Sequence, residues 1–280
     1  MTASARPIIE QRIELAGIET FLRRTEGTGT PTLFVHGNPT HSADWVPFLE
    51  RCDGPAIALD LPNFGRSERP PPARFDAGMH AYADFIGTAL DELVGANFNL
   101  VVHDWGGIAL LPAQHRAAAL ERLVVIDAVP LLAGYRWHWI ARIWRRRGLG
   151  ELLNATTTRV AMAHLLRLAR PGHAAMPEEF IDMIWECWDR GTARAVLRLY
   201  RSADPEALAA AGSGLERIDC PALVVWGRQD PYLGTEVGRR YAARLPGSEL
   251  LELERAGHWP WLDRPELVGR VAAFLRARAE

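Results

Sequence analysis

Short apolar runs recur along this chain and alternate, over most of its length, with segments of helical period. Thr32–Val35, Ala56–Asp60, Phe98–Asp104, Arg122–Asp127, Pro221–Trp226 and Leu250–Leu253 are continuous rather than alternating in polarity, the pattern of strands buried on both faces. Helical patterns follow at about Ala43–Glu50, Met79–Val94, Ile108–Ala119, Thr235–Arg244 and from about Pro265 to the end. This alternation predicts a mostly parallel central sheet flanked by helices. Ile8–Leu15 and Ile18–Arg23 alternate about Ala16-Gly17 and read as an opening β-hairpin. Between about 130 and 215 the pattern changes. The stretch has no convincing strand, is rich in tryptophan and arginine, and breaks at Gly148-Leu149-Gly150 and Pro171-Gly172. It reads as an inserted helical cap, ending at Ala211-Gly212-Ser213-Gly214, on an α/β core formed by residues 1–129 and 216–280. No internal repeat or low-complexity segment is present.

Composition narrows the function. Its 280 residues are 48% hydrophobic, enough for a sizeable core, and a net charge of -2 gives no reason to expect nucleic acid as a partner. Cys52, Cys187 and Cys220 are scattered, lack the spacing of metal ligands and suggest reduced thiols in the cytoplasm. There is no lysine, which excludes a Schiff base and a P-loop. Met1–Pro7 has no apolar core of signal-peptide length, and no apolar run could span a bilayer. The expectation is a soluble, unexported enzyme without metal or cofactor. Arg-rich Tyr135–Arg147 invites a membrane or nucleic-acid reading, but a basic amphipathic cap helix with its tryptophans turned toward an apolar pocket explains it more simply.

The candidate chemistry centres on the end of the third continuous run. Strand-like Phe98–His103 runs into Asp104-Trp105-Gly106-Gly107, and a helical pattern follows, which is how a nucleophile elbow reads: a reactive residue on a tight turn with small neighbours. Asp104 stands at its apex. A carboxylate needs no activation to displace a leaving group from saturated carbon, and the alkyl ester that results must be cleaved by water. That second step calls for a histidine base, a carboxylate to orient it and an oxyanion hole. Ala256-Gly257-His258 and Gly227-Arg228-Gln229-Asp230 each follow a strand directly and supply histidine and acid at the same sheet edge. Singly, Asp104 reads as a helix cap, Asp230 as an Asp-Pro turn and His258 as a loop histidine. Jointly, coincidence explains them poorly.

The segments HGNPT (36–40), DLPNFGRS (60–67), VVHDWGG (101–107), VVWGRQDP (224–231) and AGHWPWLDRPE (256–266) resemble the α/β-hydrolase fold. Asp-Trp at the elbow is similar to its epoxide hydrolase and haloalkane dehalogenase branches. The resemblance implies that Asp104 is the nucleophile, His258 the base, Asp230 its orienting acid, and the Asn38 and Trp105 amides the oxyanion hole. Val102 departs from the glycine many elbows carry. Asp127 ends the strand after the elbow helix, where some relatives place the acid; Asp230 is preferred because the Gly-x-x-Asp loop is the commoner arrangement.

The two branches differ in what leaves. Trp105 and Asn38 resemble the halide-binding side chains of dehalogenases, whereas Tyr200, followed by Arg201 and 30 positions before Asp230, resembles the cap tyrosine of epoxide hydrolases. Tyr135, His138 and His164 are candidates for a second donor. The sequence thus reads first as an epoxide hydrolase acting with water on a small hydrophobic electrophile. A haloalkane dehalogenase is the alternative, and a non-enzymatic relative the third reading.

Overall fold

In the computed structural model, which describes residues 6–277, eight strands form one sheet. They are β1 (Ile9–Leu15), β2 (Ile18–Thr25), β3 (Thr32–Val35), β4 (Ala56–Leu59), β5 (Phe98–Asp104), β6 (Leu120–Ala128), β7 (Ala222–Gly227) and β8 (Ser248–Leu253), in the order β1-β2-β4-β3-β5-β6-β7-β8. β2 pairs antiparallel with both β1 and β4, and every pair from β4 onward to β8 is parallel.

Helices cover both faces because successive residues of the inner strands are all apolar. Val102, Val125 and Val224 enter one core cluster while Val101, Val124 and Val225 enter the other. On the core side lie α1 (Val46–Leu49), α2 (Met79–Ala89, continued by a wider turn at Leu90–Val94) and α3 (Leu110–Gln114). Between β6 and β7 come α4 (Trp139–Arg145), α5 (Leu149–Ala155), α6 (Arg159–Leu168), α7 (Glu178–Cys187), α8 (Arg190–Ser202) and α9 (Pro205–Ala211). After β7 come α10 (Thr235–Arg244), α11 (Pro260–Asp263) and α12 (Glu266–Arg276).

Two expectations need correction. The helix expected over Ile108–Ala119 is broken: a 3-10 turn at Trp105–Ala109, α3, then a short turn at Ala117–Ala119, because the close-packed elbow tightens its first residues. The tryptophans of 135–147 do not all face inward. Trp137 is buried, but Trp139 is 43% exposed, since α4 is amphipathic and position 139 falls on its outer face beside exposed Arg142. The expected chain start and the last three residues lie outside the described residues.

Candidate active site

The reactive residues gather where the parallel strands end. Asp104 leaves β5 with φ 46°, a left-handed backbone that a non-glycine residue adopts only when its surroundings impose it. Those surroundings are tight. A Cβ on Gly106 would come within 2.1 Å of the Val35 carbonyl oxygen, and one on Gly37 within 2.4 Å of the Asp104 Cβ, so both positions require glycine. The result is an aspartate on a turn whose Oδ2 accepts the Asn38 backbone N–H at 2.8 Å. The Trp105 backbone N–H also faces this carboxylate. Burial raises its pKa, while His258 and those two amides work in the opposite direction.

His258 sits on the loop after β8 and Asp230 on the loop after β7. His258 Nδ1 meets Asp230 Oδ2 at 2.7 Å, and Nε2 stands 3.8 Å from Asp104 Oδ1. With Nδ1–H given to Asp230, Nε2 is the free basic nitrogen. The backbone amides of Tyr232 and Leu233 hold Asp230 Oδ1 at 2.7 and 3.1 Å. Burial disfavours the imidazolium, but Asp230, Asp104 and Asp44 outweigh it and raise the His258 pKa.

Tyr200, on α8, is also buried, and its ring packs edge-on to that of Trp105 at 4.8 Å. The Tyr200 hydroxyl lies beside the Trp105 indole N–H and the Asn38 carboxamide. The contact is loose: Trp105 Nε1 and Asn38 Oδ1 have no partner at hydrogen-bonding geometry. Burial, and then the charge of Asp104, push the phenol well above its ordinary pKa, so it keeps its proton. Asn38, Asp104, Tyr200 and His258 line one cavity with Trp137, Trp144, Leu165 and Tyr232. Of the three candidates for a second donor, His138 alone lines this cavity; His164 is exposed and the Tyr135 ring is packed edge-on against Trp137 at 5.2 Å. His138 Nδ1 accepts the Ala141 N–H as the cap of α4, and burial lowers its pKa to about 4.

Two residues here escaped the sequence reading. His103 Nε2 meets the His258 carbonyl at 2.8 Å, and its ring packs 4.9 Å from the His258 ring, so it braces the loop; its place beside Asp104 in the elbow was the available signal. Asp44 is buried next to Thr40 and Trp259, and burial pushes its carboxyl up to about 7. Nothing in its local pattern marks it.

This fold is matched among known proteins. The chain belongs to the alpha/beta hydrolase family, whose family model matches residues 32–271, and it is accordingly a hydrolase. It is 27% identical over 285 residues to haloalkane dehalogenase 2 of Mycobacterium tuberculosis, covering 90% of this chain and 89% of that one. It is 24% identical over 291 residues to 2-hydroxymuconate semialdehyde hydrolase of Pseudomonas putida, covering 98% and 96%. Haloalkane dehalogenase DbeA from Bradyrhizobium elkani superposes with a TM-score of 0.83 at 24% identity, over 96% and 98% of the two chains, which shows the shared fold. Relatives with such different names mean that family membership alone does not choose the reaction.

Proposed function

We propose that this hydrolase opens epoxides to vicinal diols through an ester on Asp104. The observation that carries this reading is Tyr200: a buried, protonated phenol lining the same cavity as the carboxylate. Asp104 Oδ1 attacks an epoxide carbon, the ring C–O bond breaks, and the released oxygen takes the Tyr200 proton. His258 then removes a proton from water, which adds to the ester carbonyl carbon. The oxyanion forms at Oδ2, where the Asn38 and Trp105 amides converge. Collapse breaks the bond between the carbonyl carbon and the alkoxy oxygen, the leaving alkoxide takes the proton of the added hydroxyl to give the diol and restore the Asp104 carboxylate, and the proton on His258 returns through solvent to Tyr200. Residues 130–215 act as a cap that carries Tyr200 over the sheet edge, and the apolar wall suits a small hydrophobic electrophile.

Haloalkane dehalogenation is the second reading. It is favoured by the Trp105 indole N–H, buried without a hydrogen-bond partner, by Asn38 on the cavity wall, and by the name of the 27% identical relative. Both reactions share the ester and its hydrolysis.

Diol formation from styrene oxide and halide release from 1-bromohexane, measured for wild type, Tyr200→Phe and Asn38→Ala, separate the two. An epoxide hydrolase loses about a hundredfold in diol formation with Tyr200→Phe, the usual cost of one oxyanion or acid donor. Halide release that survives Tyr200→Phe and collapses with Asn38→Ala, alongside negligible diol, overturns the first reading in favour of the second.

A further inference from the structure

The end of β6 holds a carboxyl group that the proposed reaction does not use. From Asn99 opposite Arg122 to His103 opposite Ile126, β5 and β6 pair in step; Asp104 then pairs with Ala128, so Asp127 is an extra residue bulged out of the ladder, with φ 36°. Such a bulge re-aims a side chain. It sends the Asp127 carboxyl across to β7, where its two oxygens share the Gly227 N–H at 3.0 and 3.2 Å, and brings it up beside the Asp230 carboxyl. Both side chains are enclosed by protein.

Two ionised carboxylates side by side and enclosed by protein repel each other and have no proton to share, which favours one of this pair being neutral. The donor count decides which. Asp230 accepts two backbone N–H groups and His258 Nδ1–H, whereas Asp127 has one N–H divided between two oxygens. Asp230 is therefore the better cradle for the charge, and Asp127 holds the proton. Burial and the neighbouring Asp230 charge push the Asp127 carboxyl well above the usual range, in the same direction.

We propose that Asp127 is a neutral carboxylic acid in the working enzyme, a positioning residue whose O–H donates to Asp230 and holds the carboxylate that orients His258. The inference rests on the acid role given to Asp230 above. The acid is then not one of two alternative aspartates but a hydrogen-bonded pair with divided tasks.

Infrared difference spectra between wild type and Asp127→Asn read the proton without any substrate. Mildly alkaline buffer is used, so that Asp44 is ionised. The expected result is a protonated-carboxyl C=O band in wild type that the variant lacks; no such band means Asp127 is ionised and overturns the proposal. In kinetics, Asp127→Asn keeps an N–H donor and should hold kcat within about threefold with an unmoved pH profile, whereas Asp127→Val should lose about tenfold. In Asp127→Val the acid limb should also move to higher pH, because Asp230 regains charge that favours the imidazolium. A kcat loss in both variants with no movement of the limb makes Asp127 merely structural. Asp127→Asn as damaging as Asp230→Asn makes it the acid itself. Should neither diol nor halide form, the functional reading fails while the infrared result still decides this one.

Discussion

Asp104 and Tyr200 face the same cavity from opposite walls, and the forces that place them differ in kind. On the sheet side, backbone does the placing: a left-handed turn at Asp104, glycines that admit close carbonyls at 37 and 106, and main-chain N–H groups on Asp104 and Asp230. On the helical side, side chains do it. The Tyr200 ring is wedged among Trp105, Trp137 and Trp144 at 4.8, 5.1 and 4.8 Å, and the Arg145 guanidinium ties the Tyr200 carbonyl to that of Ala203. Groups that must meet each other during bond making sit on backbone with almost no freedom. Tyr200, proposed above as the proton donor to the leaving oxygen, hangs on packing, which can be reshaped one ring at a time without disturbing the sheet.

The largest expected effect tests the sheet side as a chemical unit. His258→Gln keeps a side chain of similar reach but no base, so Asp104 should still be alkylated while ester hydrolysis stops. Turnover should fall by about three orders of magnitude or more. Intact-protein mass spectrometry after mixing with substrate should show a stable adduct, mapped by peptide digestion to Asp104. An inactive variant without adduct, or an adduct on another residue, would break the assignment of nucleophile and base.

The same division decides what could be read from the sequence. Backbone devices leave local marks: glycine at fixed offsets from Asp104, and His258 and Asp230 placed directly after apolar runs, so the strands and this edge were legible as short motifs. Packing devices leave few. That Trp137 turns in, Trp139 out, and that His138 caps α4 while lining the cavity depends on how the helices between β6 and β7 rotate against the core, which no local pattern fixes. Asp127 was visible as an alternative acid, but its pairing with Asp230 was hidden for a third reason. Its role follows from a one-residue bulge between β5 and β6, a property of strand register and not of residue type.

A smaller effect should follow from touching the sheet side at a residue with no reactive group of its own. Gly106→Ala would put a methyl 2.1 Å from the Val35 oxygen and 2.9 Å from that of His36, both backbone atoms that cannot rotate away. The elbow must shift, at a cost of about 3 kcal/mol in stability. Gly269→Ala is the control: it lies on the exposed face of α12, a Cβ there meets nothing within 4 Å, and its stability should rise by about 0.5–1 kcal/mol. Thermal unfolding of the two variants checks both signs. A Gly106→Ala variant as stable as wild type would mean that the elbow tolerates a methyl and that backbone contact does not define this wall.

The smallest effect should appear on the helical side, where position on a helix decides the outcome and residue type does not. Trp144 and Trp139 lie five positions apart in α4. Trp144 lines the cavity and its indole N–H donates to Asn154 Oδ1 at 2.9 Å, while the Asn154 amide donates to the Ala193 carbonyl at 2.8 Å and so ties α4 to α8. Trp144→Phe keeps the apolar face but removes that donor, and should cost about 1 kcal/mol. It should also raise KM, since Trp144 contacts Tyr200 as well as the cavity. Trp139→Phe should stay within about 0.5 kcal/mol of wild type with unchanged kinetics, because its side chain is largely in water. Urea unfolding and steady-state kinetics on the pair read the difference. A Trp139 variant as damaging as the Trp144 one would show that the outer face of α4 is engaged by something other than solvent, and that the helical wall is not placed by packing on the core alone.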